Sequence, residues 1–435
     1  MYGSEYIEQQ RRQYSLYVLE SRAIPSITDG LKAAARRIMW VARDGKKWKS
    51  ASLAGATMPI HPHASPEGSI NTLAAPYGNN LPLLDGIGSF GTRLNPTAYG
   101  AARYTSVQVS KFALSAFYTD IEIIPMKPNY DNTSEEPVHF LPLIPICVLN
   151  PVEGIAIGFA CDILPRDLGD IIDSQIKHLD GKEERNEPQI TFRPFNNVSL
   201  EKIENKWTFE GIFTRVDSSS LQVTNLPYGT SHDKFTHHLN KLVAAEKLID
   251  YIDKSKDTIN IECKFKRGAL FDLNDDQIFA LLNLKTNLSE NLNLIDFNGN
   301  SVLSPTYHEV IKQFTDWRLT FYKKRYERLV SMLNIDIEKL QDLLTAIKHN
   351  VGSEASKKKG RSELKEFLQT IGIKHLDYIA SLPVYRFTKD EKEKAEQELR
   401  EALKILAGYI EIIDSKQLQV DIYKQELKQV KKEFA

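Results

Sequence analysis

The residues best suited to chemistry in this 435-residue chain stand together between Leu84 and Thr105. A glycine-laced run, Leu84-Asp85-Gly86-Ile87-Gly88-Ser89-Phe90-Gly91, leads to Ala101-Ala102-Arg103-Tyr104-Thr105. Glycine lets a backbone turn tightly and approach a bulky partner closely. A tyrosine hydroxyl is a poor nucleophile at neutral pH, because a phenol ionises only near pH ~10. Arg103 places a permanent cation next to one. Beside a phosphodiester, Arg103 could hold the non-bridging oxygens while Tyr104 attacks phosphorus. An Arg-Tyr pair alone is commonplace on surfaces and in cores. Its company is what singles this one out.

Two further groups sit upstream. From Arg22 to Lys49 the basic residues are Arg22, Lys32, Arg36, Arg37, Arg43, Lys46, Lys47 and Lys49, against Asp29 and Asp44, a local net charge of +6. The whole chain carries a formal charge of −1, so any nucleic-acid face must be local. Arg36 and Arg37, one turn beyond Lys32, are expected to face phosphates, which supply most non-specific DNA affinity. Lys46, Lys47 and Lys49 fit a solvated helix end equally well. His61 and His63 flank Pro62, with no third ligand near in sequence, so a metal pair is disfavoured against a capping or packing role.

Composition narrows the class. The length allows about two to four domains. Cys147, Cys161 and Cys263 show no metal spacing and read as buried thiols of a reducing compartment. The polar N-terminus does not read as a signal peptide, and no apolar run is long enough to cross a bilayer. A soluble, cytoplasmic protein is expected.

The elements that must position these residues follow from pattern. Residues 1–25 read as a helical arm ending at Pro25. Asp29 is placed to cap a second helix running to about Val41. Short proline-broken helices occupy 49–75, and the glycine-rich turn follows; helix, turn, helix and hairpin suit a winged-helix module. A helix is expected over Leu168–Leu179, strands over Trp207–Val216, Leu221–Leu226 and Thr258–Phe265, and a helix over Asp233–Leu248. Val310, Phe314, Trp317 and Phe321 begin a helix reaching about Lys348. A lysine-rich loop (Lys357-Lys358-Lys359-Gly360-Arg361), read as solvated, precedes a small globular head over Leu364–Pro383. Leu399, Leu406, Ile413, Val420, Leu427 and Phe434 then recur every seventh residue, which favours packing of two antiparallel coiled-coil arms over an ordinary bundle seam.

The Tyr104 segment resembles that of the DNA-cleaving subunit of type IIA topoisomerases, where Asp-Gly-Gln-Gly-Asn-Phe-Gly precedes Ala-Ala-x-Arg-Tyr-Thr. Other elements match in order: Arg22-Ala23-Ile24-Pro25, Asp29-Gly30-Leu31-Lys32, Arg36-Arg37, His61-Pro62-His63, Asn129-Tyr130-Asp131, Leu149-Asn150, Gly154-Ile155-Ala156-Ile157-Gly158 and Ile163-Leu164-Pro165. Asn79-Asn80, Pro82-Leu83-Leu84-Asp85-Gly86 and Leu141-Pro142-Leu143-Ile144-Pro145 look most like the T-even-like phage branch of that family. The similarity covers nearly the whole chain. There are departures. Ile87 stands for a usual Gln, Ala35 for a His found in gyrase, and Ala64-Ser65-Pro66-Glu67 alters the length after His63, so Ser65 and Ser69 compete for the family's drug-contact serine.

The resemblance implies an α+β, predominantly α fold: an N-terminal arm (1–25), a winged-helix breakage-reunion domain (26–166), a mixed α/β tower domain (167–304), and antiparallel coiled-coil arms with a small helical dimerisation head (305–435). It implies that Tyr104, aided by Arg103, forms a transient 5′-phosphotyrosyl link in double-stranded DNA. Arg22, Lys32, Arg36, Arg37, His61, His63 and Thr105 are the expected DNA contacts. Ile163 is assigned as an apolar wedge between base pairs, although by its surroundings alone a buried core residue is the favoured reading. Two tyrosines are needed for two strands, so a homodimer follows. No P-loop and no acidic magnesium cluster are legible. Mg2+ and ATP are therefore expected on an ATPase/metal-binding large subunit, without which this chain is inactive. With no gyrase-type wrapping domain before Ala435, relaxation, decatenation and unknotting are expected ahead of supercoiling.

Two other readings compete. A non-enzymatic DNA-bridging coiled-coil dimer explains the basic patch and heptads but not the setting of Arg103 and Tyr104. A tyrosine recombinase needs dispersed Arg and His partners and attaches DNA through its 3′ end.

Overall fold

A computed structural model describes residues 7, 10–11, 23–62, 66–156, 159–182, 189–198, 202–203 and 206–435. Most of the expected N-terminal arm lies outside them. The chain divides into two compact units, 1–318 with 424–435, and 319–423.

In the first unit, an alanine-rich stretch forms α1 (Ala33–Ala42), as good helix formers should. It buries Ile38, Met39 and Ala42. Asp29 does not cap it: the N-cap position is Lys32, without a side-chain bond. The fully buried Asp29 carboxylate instead accepts from the amides of Leu31 and Phe140, both at 3.1 Å. A short strand β1 (Trp48–Lys49) leads into α2 (Ser50–Thr57), followed by α3 (Pro66–Ala74). These three helices pack on one another. Beside them, β2 (Leu84–Ile87) and β3 (Ser106–Val109) complete an antiparallel sheet in the order β1-β3-β2, with Lys49 opposite Ser106 and Leu84 opposite Val109.

Two hairpins follow. The first pairs β4 (Met126–Pro128) with β5 (Glu135–Pro137). The second pairs β6 (Val152–Ala156) with β7 (Phe159–Ile163). Then α4 spans Leu168–Leu179, the expected bounds, capped by the Asp167 carboxylate. The strand expected over Trp207–Val216 is two strands, split at Gly211. Its first half, β8 (Lys206–Glu210), pairs with the later strand 285–289, and its second half, β9 (Ile212–Arg215), pairs with β10 (Ser220–Asn225). A Cβ at Gly211 would lie 2.7 Å from the Asn225 carbonyl, so the crossover point has no space for a side chain. The helix α5 (His232–Ala244) intervenes before β11 (Asp250–Asp253) and β12 (Ile261–Lys264), which finish a four-stranded antiparallel sheet ordered β9-β10-β12-β11. The helix and the strands over 221–226 and 258–265 lie near the expected positions, whereas β11 and the strand 285–289 are not among the expected elements.

A 42-residue helix, α6 (Tyr307–Lys348), carries the chain into the second unit. There α7 (Arg361–Thr370) and α8 (Leu376–Ser381) share a core with Leu343, Ala346 and Ala395. The heptad run is not one helix: α9 (Lys389–Asp414) and α10 (Lys416–Phe434) part at Ser415. The Gln419 side-chain amide donates to the Ile412 and Ile413 carbonyls at 2.8 and 3.1 Å, satisfying acceptors freed by the break. Ring contacts of Tyr322 with Tyr423 and Tyr326 with Tyr409, and the shared packing of Leu343 with Ala395, run in opposite sequence order. The returning segments therefore lie antiparallel to α6.

Candidate active site

Tyr104 stands on a tight turn that precedes the central strand β3. Its amide donates to the Ala101 carbonyl at 2.8 Å. The Ala51 amide, in the first turn of α2, donates to the Ala102 carbonyl at 3.3 Å, and the Ser50 amide to the Thr105 carbonyl at 3.1 Å. Backbone on both sides of the tyrosine is thus fixed to the start of α2. The side chain is not: Tyr104 is 72% exposed. The Arg103 guanidinium lies over its ring, 4.8 Å from the centroid, a cation–π distance. The turn presents a phenol and a cation together to solvent.

Thr105 does not join them. It is buried, and its hydroxyl donates to Ser50 Oγ at 2.8 Å. That corrects the expectation of a DNA contact: Thr105 is an anchor for the turn. Opposite it, Lys47 and Lys49 are exposed at the β1 edge beside β3, and Lys46 is exposed next to Asp44.

The other expected contacts divide. Arg36 is a buried partner of Asp29, donating from Nε at 2.7 Å and from Nη2 at 2.9 Å. Arg37 grips the buried Glu136 of β5, with an Nη2 bond of 3.1 Å. Both guanidiniums turn inward, because carboxylates buried in the adjoining elements need them. Lys32 also faces the protein: its Nζ donates to the Glu153 carbonyl at 2.6 Å. Burial lowers its ammonium pKa below the usual lysine value, while neighbouring Cys161 and Glu153 oppose that shift. His61 packs edge-on against the exposed Tyr130 at 5.7 Å, so the His-Pro-His and Asn-Tyr-Asp motifs meet. Asn129 holds that loop, donating to the Pro59 carbonyl at 3.3 Å and accepting from the Thr133 amide at 3.0 Å. Arg22, His63 and Ser65 lie outside the described residues.

Ile163 requires correction. It is fully buried, paired with Val152 at the base of the β6–β7 hairpin. A wedge must stand clear of its own protein, and Ile163 does not. Among the described side chains of the hairpin, the apolar one that does is Ile155, 88% exposed further along it. Alternation along the strand carries the signal, since Ile155 follows Gly154, where a Cβ would lie 1.9 Å from the Ala23 carbonyl. The hairpin is pressed against the protein at Gly154 and leaves it at Ile155.

Between α1, α3 and the root of this hairpin is a cleft of about 320 Å3, bordered by Lys32, Thr72, Asn79, Asn150 and Glu153. Among the described residues no group of three or more His, Cys, Asp or Glu side chains could hold a metal ion. Among them also, no helix is long and apolar enough to cross a membrane.

A family model describing the A subunit of DNA gyrase/topoisomerase IV matches residues 22–428. The DNA topoisomerase medium subunit of Enterobacteria phage T4 is 27% identical over 415 residues, covering 91% of this chain and 92% of that protein. The DNA gyrase A subunit of Chlamydia muridarum is 24% identical over 459 residues, covering 97% of this chain and 55% of its own length. This chain thus spans nearly all of the phage protein and about half of the gyrase one. In fold, it is similar to the DNA-binding, cleavage and re-ligation domain of Plasmodium falciparum topoisomerase II, with a TM-score of 0.86 and 22% identity over 96% of this chain and 63% of that one. Fold, motif order and a family match over almost the full length agree, and the chain belongs to the family of DNA gyrase/topoisomerase IV A subunits.

Proposed function

We propose that this chain is the DNA breakage-and-rejoining subunit of an ATP-dependent type II DNA topoisomerase, with Tyr104 as its nucleophile. The observation that carries this reading is the exposed Tyr104 ring under the Arg103 guanidinium, on a turn whose backbone is fixed at both ends. Tyr104 Oη forms a bond to phosphorus, the 3′ oxygen leaves as a hydroxyl, and the 5′ end stays esterified to the protein. One phosphoester replaces another, so rejoining needs no separate energy source. Arg103 lowers the barrier by countering charge on the equatorial phosphoryl oxygens.

The surroundings support a DNA path. Lys47 and Lys49, exposed at the strand edge next to β3, are better placed to meet phosphates than Arg36 and Arg37. His61 with Tyr130 offers a second polar–aromatic contact. Ile155 takes over the wedge role given to Ile163, entering between base pairs and favouring a bent duplex. The three helices with their three-stranded sheet fit a winged-helix module, the segment 167–304 a tower, and the second unit a pair of arms ending in a dimerisation head. A homodimer supplies two tyrosines for two strands. Mg2+ and ATP belong, in this reading, to a large partner subunit. Relaxation, decatenation and unknotting are the outcomes of duplex passage.

The test is covalent trapping. Combined with the large subunit, Mg2+ and plasmid, then quenched with denaturant, the chain should retain a 5′-linked nucleotide on Tyr104 by peptide mapping. Tyr104→Phe should bind DNA as before and form no adduct. An adduct on another side chain, or linkage through a 3′ end, overturns the assignment.

A further inference from the structure

The loop between the glycine-rich turn and Tyr104, residues 91–99, is closed on itself. Phe90 and Tyr99 bridge its ends, and the Gly100 amide donates to the Ser89 carbonyl at 2.9 Å. Inside it, the Thr92 and Ala98 amides both donate to the Asn95 carbonyl, at 2.9 and 3.2 Å, and the Asn95 amide donates to Thr92 Oγ1 at 3.0 Å. Gly91 has φ of +92°, and a Cβ there would lie 2.2 Å from the Pro96 carbonyl oxygen. These bonds tie the loop to itself, and the Tyr104 turn begins directly after its closing bond.

Its apex makes contacts in another part of the unit. The Arg93 guanidinium lies over the Phe195 ring, 5.7 Å from the centroid. Arg93 Nε is buried with no hydrogen-bond partner among the described residues, and the Phe195 ring is the contact its guanidinium makes there. Leu94 packs against the core beneath the four-stranded sheet. Phe195 in turn stacks on Phe192 at 5.2 Å, Phe192 meets Tyr228 edge-on at 4.8 Å, and Tyr228 meets Phe209 of β8 at 5.3 Å. A row of rings leads from Arg93 into the sheet-bearing region.

We propose that Arg93 is a positioning residue for the cleavage reaction: seated on Phe195, and with Leu94 in the neighbouring core, it sets the self-bonded 91–99 loop and thereby aligns Tyr104 for attack. This rests on the reading of Tyr104 as the nucleophile. The chemistry suits arginine in particular. A planar guanidinium lies flat on a ring in one orientation, whereas an ammonium is a compact, strongly hydrated point charge. Alignment matters because a displacement of about 1 Å at a reacting centre can cost on the order of a hundredfold in rate.

The experiment measures single-turnover formation of the Tyr104 adduct with the large subunit, Mg2+ and a labelled duplex, alongside duplex affinity. Arg93→Ala should slow adduct formation about tenfold while affinity changes less than about twofold, the pattern of lost alignment without lost binding. Arg93→Lys keeps the charge and should be equally slow, with an unfolding temperature equal to the parent's. Arg93→Ala combined with Phe195→Leu should be no slower than the worse single variant. Parent-like adduct formation in Arg93→Lys, or rate losses of the two changes that multiply, overturns the proposal. If the parent chain forms no adduct at Tyr104, the underlying reading fails instead, and the two failures are told apart by that control.

Discussion

Arg36 and Asp29 form a two-pronged ion pair, with bonds of 2.7 and 2.9 Å, at the root of the helix that begins the cleavage region. The same carboxylate takes the Leu31 and Phe140 amides, so one side chain gathers α1, its approach and a distant loop. Removing one member of a buried pair leaves the other uncompensated, which costs about 3–5 kcal/mol. Asp29→Ala is expected to lower stability by about that amount in denaturant titration. Arg36→Ala should do the same, and a loss of DNA binding in that variant will track its unfolding.

Arg103 is expected to act on rate more than on affinity. Its guanidinium lies over the Tyr104 ring in a solvent-facing turn, and no carboxylate pairs with it among the described residues. Losing one charge-stabilising donor at a developing oxyanion costs on the order of a hundredfold. Arg103→Ala should slow adduct formation by about that factor, with Arg103→Lys intermediate, as read by single-turnover quench.

Ile155 and Ile163 make a matched pair on one hairpin, the first exposed and the second buried. Ile155→Ala should leave the unfolding temperature unchanged and reduce duplex bending, measured by energy transfer between end-labelled fluorophores. Ile163→Ala should cost about 2–5 kcal/mol of stability from the cavity it opens. Bending lost only in folded Ile163→Ala would reverse this assignment.

Much of this architecture is legible in the residues. The bounds of α4 and the end of α6 fall where the residue pattern puts them. What could not be read is pairing over long range. Asp29 looks like a helix cap because it precedes one, yet its partner amide at Phe140 is set by tertiary packing. Arg36 and Arg37 look like phosphate ligands until Asp29 and Glu136 come to meet them. Heptad spacing continues through Ser415 although the backbone does not, because side-chain period carries no information about a local break. Ile155 and Ile163 lie on the two paired strands of one hairpin, and their burial sets them apart more plainly than their sequence does.

Burial pushes the Cys161 thiol up to about 11 and the Cys263 thiol up to about 12, from an ordinary value of 9.0. Because the folded values lie above the unfolded one, each thiol contributes stability that is fully present below pH 9 and is lost as pH rises from there through the folded values. The unfolding temperature should therefore decline between about pH 9 and 12 more steeply than in a Cys161→Ala/Cys263→Ala variant. Neutral-pH labelling by a thiol reagent should be slow until the protein is unfolded.

The hydroxyl of Thr105 and the amides of Ser50 and Ala51 leave the Tyr104 backbone almost no slack of its own. A strand end esterified to that side chain would become cargo of the whole module. Opening a break then means carrying the end as far as the module travels, and returning the module brings the end back into register with the hydroxyl it left. Fidelity of resealing would need no proofreading step; it would be inherited from the rigidity of the mount.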